Sequence, residues 1–499
     1  MRRLAAKALA LPPRAALPLA ALLLSACAGL SPATGQPGAD PTARLTAVAA
    51  PQWLTPVPHN ALTTDLRNWW STLDDPVLVD LISAAQTASP TLASARSRIT
   101  QARGTQTISQ AALQPTLDAS LGASRGVTQP NVPPANTLQG VVMAGWEIDL
   151  FGANRQAASA AAERLESANA QWHDARVSVA AEVATLYVDL RACELQLALG
   201  SSDAASRAET ARLSALSTRA GFTAPAIDAL ARASAAEAVN RSDQQRAQCA
   251  VAVKAMVALT DLAEPVLRQK LAAPVSPNAY KTTFAVAAVP AQALAQRPDL
   301  ASAQRDLAAA SFDIGSSEAQ RYPRLSLSGS IGALSVAAGG VSSDLTTWSI
   351  GPLALSIPLW DGGKRAANLA SAKARYAESE ALYRSRVRQA VREVEVALVN
   401  LQSADVRKDN TQIAAAGYRA SFQGTQARFK SGLAGLPELE ESRRTALNAD
   451  TALLLLERDR MLAWISLYRA VGGGWTLTDT VPEVLAIEAA KTVTTSSKP

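Results

Sequence analysis

The sequence predicts a mainly helical chain that carries a small amount of membrane-spanning β-structure and cannot complete its fold alone. Three observations lead there. Residues Gly145–Gly152 (Gly-Trp-Glu-Ile-Asp-Leu-Phe-Gly) join a stretch of period two to a stretch of helical period. On their N-terminal side Val142, Ala144, Trp146, Ile148 and Leu150 alternate with Met143, Gly145, Glu147 and Asp149, the pattern of a strand with one apolar and one polar face. From Ala153 the helical pattern continues to about Arg219, a helix of ~100 Å at ~1.5 Å per residue, longer than any round core can bury. The same change of period recurs at Leu353–Gly363, ahead of a second long helix. Finally, no run of ~18 apolar residues follows Cys27, so any membrane crossing falls to strands.

Composition agrees. Of 499 residues only 4% are aromatic and Ala is abundant, which suits closely packed helices better than thick multilayer cores. The two histidines, His59 and His173, are far apart and make a His-based metal site improbable; His173, within the long helix, is expected at the surface.

The N-terminus reads as a secretory signal: Arg2, Arg3, Lys7 and Arg14 precede the apolar run Ala15–Leu24 and the small residues Ser25-Ala26. Leu24-Ser25-Ala26-Cys27 resembles a bacterial lipobox, which implies cleavage before Cys27 and lipid on that residue. Ala28 follows, where an inner-membrane retention signal typically has Asp. Several acyl chains at ~0.8 kcal/mol per CH2 would anchor the protein stably. Four of the six net positive charges lie in the signal, so the remainder is close to neutral and the basic balance implies no nucleic-acid partner.

Taken in order, residues 27–67 form a lipidated tether rich in Pro, Ala, Thr and Gly. Ordered structure begins at Asn68-Trp69-Trp70, and Leu73-Asp74-Asp75-Pro76 starts a helix that runs to about Ala112 with a break near Ser89-Pro90. From Pro115, Leu117, Ala119, Leu121 and Ala123 face one side of a strand and Thr116, Asp118, Ser120 and Ser124 the other. A loop from Gly126 to Thr137 leads into a return strand at about 139–151, making a hairpin long enough for a tilted crossing. After the long helix, Ala220–Pro225 turns the chain into a second helix ending near Leu262. The proline-rich segment 265–296 reads as an irregular linker between halves.

The chain then repeats itself. Pro90 and Leu92 return as Pro298 and Leu300, Pro115 and Leu117 as Pro323 and Leu325, Leu150-Phe151 as Leu359-Trp360, and Gly221 as Gly432, at a slowly growing offset. The units are a signal peptide at 1–26, the tether, a first repeat at 68–264 (hairpin 115–151, helices 153–262), the linker, a second repeat at 297–471 (hairpin 323–360, helices 364–470) and a tail at 472–499. Val471–Trp475 ends the last helix, and the Thr/Ser/Lys stretch of the tail is expected to lack order. In the second hairpin Leu325, Leu327, Ile331 and Ala333 alternate with Ser326, Ser328, Ser330 and Gly332, and a Gly/Ser-rich loop is expected to Thr347. Pro352 and Pro358 point to a bulge or a strand end. Leu369, Tyr376, Tyr383, Val387, Ala390, Val394, Leu398 and Leu401 form a coiled-coil-like seam.

Four strands per chain cannot close, and an open edge in lipid would leave backbone groups unpaired at several kcal/mol each. Bacterial barrels start at about eight strands, so several copies must pool their hairpins. Trp146, Phe151, Trp348 and Trp360 fall where an aromatic girdle would lie.

Asn68-Trp69-Trp70, Gly145–Gly152, Gln296-Arg297-Pro298-Asp299, Pro358–Gly363 and Gly472–Trp475, in this order and with the duplication, resemble the TolC-like outer membrane factors, specifically the OprM/NodT-type lipoproteins of RND efflux, over about residues 60–475. The resemblance implies a homotrimer whose twelve strands form one outer-membrane β-barrel, continuous with a long periplasmic α-helical barrel. It also implies a periplasmic adaptor and an inner-membrane RND pump as partners, and outer-membrane lipid around the strands. It places adaptor docking at the helical turns Arg219-Ala220-Gly221-Phe222 and Lys430-Ser431-Gly432-Leu433. Asp228, Glu438, Glu440 and Glu441 lie just past these turns and are candidates for acidic gate rings, although the family's second repeat often has aspartates there. An ordinary charged helix start explains the same residues.

No catalytic constellation, phosphate loop or metal spacing occurs, so no enzyme activity and no cofactor beyond the lipid on Cys27 is expected. Cys193 and Cys249 stand equally far from Gly221, at one height of an antiparallel hairpin, and form either a disulfide or two buried thiols. An exit duct for small-molecule efflux is the leading function. A duct for type I protein secretion, and a periplasmic adaptor or structural lipoprotein, are the alternatives.

Overall fold

The computed structural model describes residues 52–56, 66–127, 133–273, 290–476, 478–479 and 481. The signal peptide, Cys27, His59 and residues 274–289 of the linker lie outside them. After a 3-10 turn at Leu66–Leu73 come α1 (Pro76–Ala88), α2 (Pro90–Ala111), β1 (Thr116–Gly126), β2 (Ala135–Ile148), α3 (Ala153–Arg219), α4 (Pro225–Thr260), α5 (Glu264–Leu271) and α6 (Pro290–Leu294). Then follow α7 (Pro298–Ala319), β3 (Arg324–Ala338), β4 (Val341–Ser356), α8 (Lys364–Lys430) and α9 (Leu436–Ala470). They group into two compact units.

The first unit holds the strands, the C-terminal part of α2 and α7, and the first turns of α3 and α8. Its sheet is antiparallel in the order β1-β2-β3-β4. The register sets Leu117 opposite Ala144, Val142 opposite Ile331, and Ile331 opposite Trp348, so apolar side chains of all four strands share one face. Asp118, Ser120, Glu147, Ser326 and Ser330 share the other by the same pairing. Along β4 the apolar positions change parity, from Trp348 and Ile350 to Leu353 and Leu355. The ladder skips one residue there, with Gly329 opposite Ile350 and Leu327 opposite Leu353. The bulge at Gly351-Pro352 returns both halves of β4 to the same face. Pro358 lies past the strand end.

The expected Gly/Ser-rich loop before Thr347 is strand. Gly339 and Gly340, both with positive φ (57° and 86°), make a two-residue hairpin turn whose twist suits the flanking strands, so pairing continues to the turn. Both strand-to-helix joints are built alike. Asp149 accepts hydrogen bonds from the backbone N–H groups of Asn154 and Arg155 (3.2 and 2.9 Å), and Asp361 from those of Gly363 and Arg365 (3.0 and 3.1 Å). Each carboxylate satisfies donors that a helix start leaves free. The backbone N–H of Arg365 foremost holds the Asp361 carboxyl below its usual range.

The second unit holds the core. Trp69 stacks on Tyr468 (ring centroids 5.1 Å) and Trp70 meets it edge-on (4.6 Å), amid buried Leu73, Leu78, Leu81, Val183, Leu190, Met256, Leu398 and Leu467. Asp75 caps α1 and accepts the Tyr187 hydroxyl at 2.8 Å. Arg191 in turn donates to the Tyr187 oxygen and to the Leu271 carbonyl (3.1 and 2.7 Å). Arg297 is buried, donates to the Ala470 carbonyl (2.7 Å), and pairs with Asp299 and Glu393 (2.8 and 2.9 Å). Gly472–Gly474 all have positive φ and lie against other backbone: a Cβ on Gly472 would fall 2.1 Å from the Gln296 carbonyl oxygen, and one on Gly474 2.7 Å from the Arg67 nitrogen. Three of the matching stretches therefore meet in one knot.

Several expectations need correction. The tail beginning at 472 is packed through Trp475, because the glycines turn it back into the core. The linker is not wholly irregular, since α5 and α6 occupy its two ends. The first turn begins at Leu66, ahead of Asn68, and within the tether Glu395 accepts the backbone N–H groups of Leu54 and Thr55 (2.7 and 3.1 Å).

Replacing Gly472 by Ala combines a positive φ with a backbone clash, for a loss of about 3 kcal/mol or more. Gly424→Ala, in α8 with open space around it, should instead gain up to ~1 kcal/mol. Thermal melting followed by helical circular dichroism separates the two; equal melting temperatures would contradict the knot's role.

Candidate functional site

The two helical turns are one structure made twice. After α3, Gly221 N–H donates to the Thr218 carbonyl and Phe222 N–H to the Ser217 carbonyl (3.0 and 2.9 Å). After α8, Gly432 donates to Phe429 and Leu433 to Arg428 (3.0 and 2.8 Å). These are Schellman closures, with the glycines at φ 79° and 75°. The residue after the glycine commonly packs back on its own helix in this motif. Here Phe222 is 87% exposed and Leu433 71%, so each turn presents a bare apolar side chain beside a basic residue, Arg219 or Lys430.

The candidate gate acids divide. Asp228 pairs with Arg232 on its own helix (3.0 Å), Glu438 with Arg428 (2.7 Å) and Glu441 with Arg444 (2.5 Å), the last two at exposed positions. Glu440 does not belong with them. It is enclosed among Arg207, Arg443 (2.5 Å) and the Ser234 hydroxyl (2.8 Å), while Arg207 also holds Asp203 (2.8 Å) and Arg443 reaches Thr210 (3.1 Å). This cluster ties α3, α4 and α9 together. Burial holds the Arg443 guanidinium below its usual value, with Glu440 opposing. The pairs Asp203/Arg207 and Glu440/Arg443 are legible as helix spacings, but nothing in the sequence says that they interlock.

His173 is buried, 2% exposed, between Trp172 (4.9 Å) and Trp475 (5.9 Å), and not at the surface as expected. The returning Gly472–Trp475 segment covers it. Burial pushes the imidazole down to about 4; Arg176 adds to this, and Asp479 opposes it. Next to it, burial and then the Asp299 charge raise the Asp174 carboxyl to about 6, against Arg297 and Arg469. Cys193 and Cys249 are joined as a disulfide with Cα atoms 5.7 Å apart.

Of the four girdle candidates, Trp360 is exposed just past β4, and Trp146 is partly exposed near the end of β2, its indole donating to the Leu113 carbonyl at 3.1 Å. Trp348, 74% exposed, sits mid-strand opposite Ile331 on the apolar face. Phe151 stacks on Tyr322 (5.0 Å), half-buried, because the turn after Asp149 points it inward. Among the described residues no group of His, Cys, Asp and Glu could hold a metal ion, and no helix is long and apolar enough to cross a membrane.

An open sheet with apolar side chains of all four strands gathered on one face, each pair of strands leading into a very long helix, is the architecture of an outer-membrane channel subunit. The chain belongs to the outer membrane efflux protein family, whose model matches residues 81–261 and 289–473. It is 28% identical over 426 residues to nodulation protein T of Rhizobium leguminosarum bv. trifolii, covering 82% of this chain and 88% of that protein. It is 27% identical over 478 residues to the solvent efflux pump outer membrane protein SrpC of Pseudomonas putida, covering 92% and 98%. Among solved structures it matches the outer-membrane channel OprN with a TM-score of 0.72 at 26% identity, covering 89% of this chain and 98% of that one. Family and fold are those of outer-membrane efflux channels rather than enzymes.

Two outcomes test the buried groups. His173 stays neutral when folded, so its contribution is full above pH 6.5 and is lost as pH falls toward 4. His173→Gln should therefore narrow the loss of melting stability between pH 7.5 and 4.5, by roughly 2 kcal/mol. An unchanged pH profile would contradict it. Glu440→Ala leaves Arg207 and Arg443 buried without their shared acid and should cost about 3–5 kcal/mol, whereas exposed Glu441→Ala should cost under ~1 kcal/mol in the same melt.

Proposed function

We propose that the chain is the exit duct of a tripartite RND-type efflux system, passing small molecules from the periplasm to the exterior as a homotrimer. The observation that carries this reading is the unfinished sheet. β1 and β4 each have one paired neighbour, yet β1 is exposed along its whole length and β4 along nearly all of it. A sheet with an apolar face and two free edges is unstable in lipid, and joining β4 of one copy to β1 of the next satisfies both edges. Three copies supply twelve strands, within the range of bacterial barrels. The apolar face then meets lipid, and the face of Asp118, Ser120, Glu147 and Ser330 lines the lumen.

In this reading Cys27 carries the lipid, and the long helices extend the duct into the periplasm. The exposed pairs Arg219/Phe222 and Lys430/Leu433 dock a periplasmic adaptor that links the duct to an inner-membrane pump. Asp228 and Glu438, at the first turns past the tips, set the charge of the periplasmic entrance. No cofactor beyond the lipid enters.

The direct test is efflux in cells lacking the gene and complemented with variants. Phe222→Asp with Leu433→Asp should abolish resistance and crosslinking to the adaptor while leaving a heat-modifiable trimer in the outer membrane. Full resistance with that pair would remove the docking assignment. In planar bilayers, Asp228→Asn with Glu438→Gln should change single-channel conductance and cation sensitivity, and identical traces would remove the entrance assignment.

A further inference from the structure

The two tip hairpins are held together by different means. Between α8 and α9 there are charged and aromatic ties: Asp405–Arg460 (2.7 Å), Arg419–Asp450 (2.5 Å), Arg428–Glu438 (2.7 Å), the Arg443 guanidinium over the Phe422 ring (5.6 Å), and Phe422 and Phe429 against buried Leu436 and Leu439. Between α3 and α4, among the described residues, no ion pair crosses at all. Arg212, Arg241 and Arg246 each pair within their own helix. Apart from Asp203 and Arg207, the buried positions along this seam are small: Ala204, Thr210, Ala211, Ser214, Ala231, Ala238 and Ser242. What crosses is a set of hydrogen bonds, Ser201–Ser242 (3.1 Å), Gln245–Gln196 (3.0 Å) and Arg207–Ser234 (2.6 Å), together with the Cys193–Cys249 disulfide. A seam of Ala and Ser buries little apolar area, and its one large buried side chain, Arg207, reaches α4 only through the Ser234 hydroxyl and through Glu440 of α9.

We propose that the Cys193–Cys249 bond is the tie that sets the axial register of α3 against α4, and so positions the Phe222 tip for docking. The Gly221 turn closes one end of the Ala/Ser seam and the disulfide closes the other, making a ring across a sequence separation of 56. Neither helix can then slide or splay without stretching that ring. The docking role rests on the function proposed above; the register role does not. Forming the bond removes two electrons and two protons from the thiols. Both go to the disulfide of a thiol–disulfide exchange protein, which leaves as a dithiol. In a reducing environment the α3–α4 hairpin loses its covalent tie and keeps only hydrogen bonds and the Glu440 cluster near the tip, whereas the α8–α9 hairpin keeps all of its own ties. Cys193 and Cys249 are therefore positioning residues, and only one of the two docking tips depends on redox state.

Hydrogen–deuterium exchange on the full-length detergent-solubilised protein tests this, comparing the oxidised form, the same protein after a phosphine reductant, and Cys193→Ser with Cys249→Ser. Amides of residues 194–248 should exchange at least tenfold faster in the reduced and substituted forms, while those of 405–460 keep their rates as an internal reference. Unchanged exchange in 194–248 in the reduced protein would overturn the proposal, and so would an equal rise in both hairpins. The reductant arm starts from folded protein, so a folding failure of the double variant does not remove the test. Faster exchange at 194–248 without loss of adaptor crosslinking at residue 222 would keep the register role and reject the docking function.

Discussion

Everything in this chain follows from backbone groups that it cannot satisfy alone. A strand exposes N–H and C=O groups along each edge, and in hydrocarbon each unpaired group costs several kcal/mol. Four strands with an apolar face and two edges that no described strand of the chain pairs are therefore half of a contract with other copies. The bulge at Gly351-Pro352 belongs to the same constraint. Without the extra residue, either Trp348 and Ile350 or Leu353 and Leu355 would face the polar side. One inserted residue keeps Trp348, Ile350, Leu353 and Leu355 on one face of β4.

The second requirement is to pass from a twisted sheet to a long helix without leaving a helix start uncapped. Asp149 and Asp361 both answer it by accepting early backbone N–H groups, Asp149 those five and six residues on and Asp361 those two and four residues on, in joints of different length. The Trp69-Trp70, Arg297-Pro298-Asp299 and Gly472–Gly474 stretches lie in neither the sheet nor the helical tips. They converge on one packed knot where the first turn, the second repeat's opening and the chain's return are locked together. Glycine is required at Gly472 and Gly474 because backbone lies within 3 Å of where a Cβ would be.

Much of this was legible in advance, because periodicity reports faces and faces are what the architecture uses. Strand alternation, the seam of α8 and the Gly221 and Gly432 turns all follow from local spacing. Three things were not legible, each for a tertiary reason. His173 reads as a helix-surface residue until the C-terminal Gly472–Trp475 segment folds over it. Glu440 reads like its neighbours Glu438 and Glu441, and only the approach of Arg207 from α3 and Ser234 from α4 encloses it. The Gly/Ser stretch before Thr347 reads as a loop by composition, but pairing with β3 keeps it extended.

The sequence by itself determined the period of every long element, the duplication, the equal heights of Cys193 and Cys249, and the insufficiency of four strands, since these depend only on spacing along one chain. Tertiary structure alone decided which charges interlock, which segments cover one another and which tip hairpin has, among the described residues, no ion pair crossing between its helices. Those outcomes depend on the axial register between helices distant in sequence. One residue of slip would change the facing side chain at every contact while leaving each helix's own pattern intact.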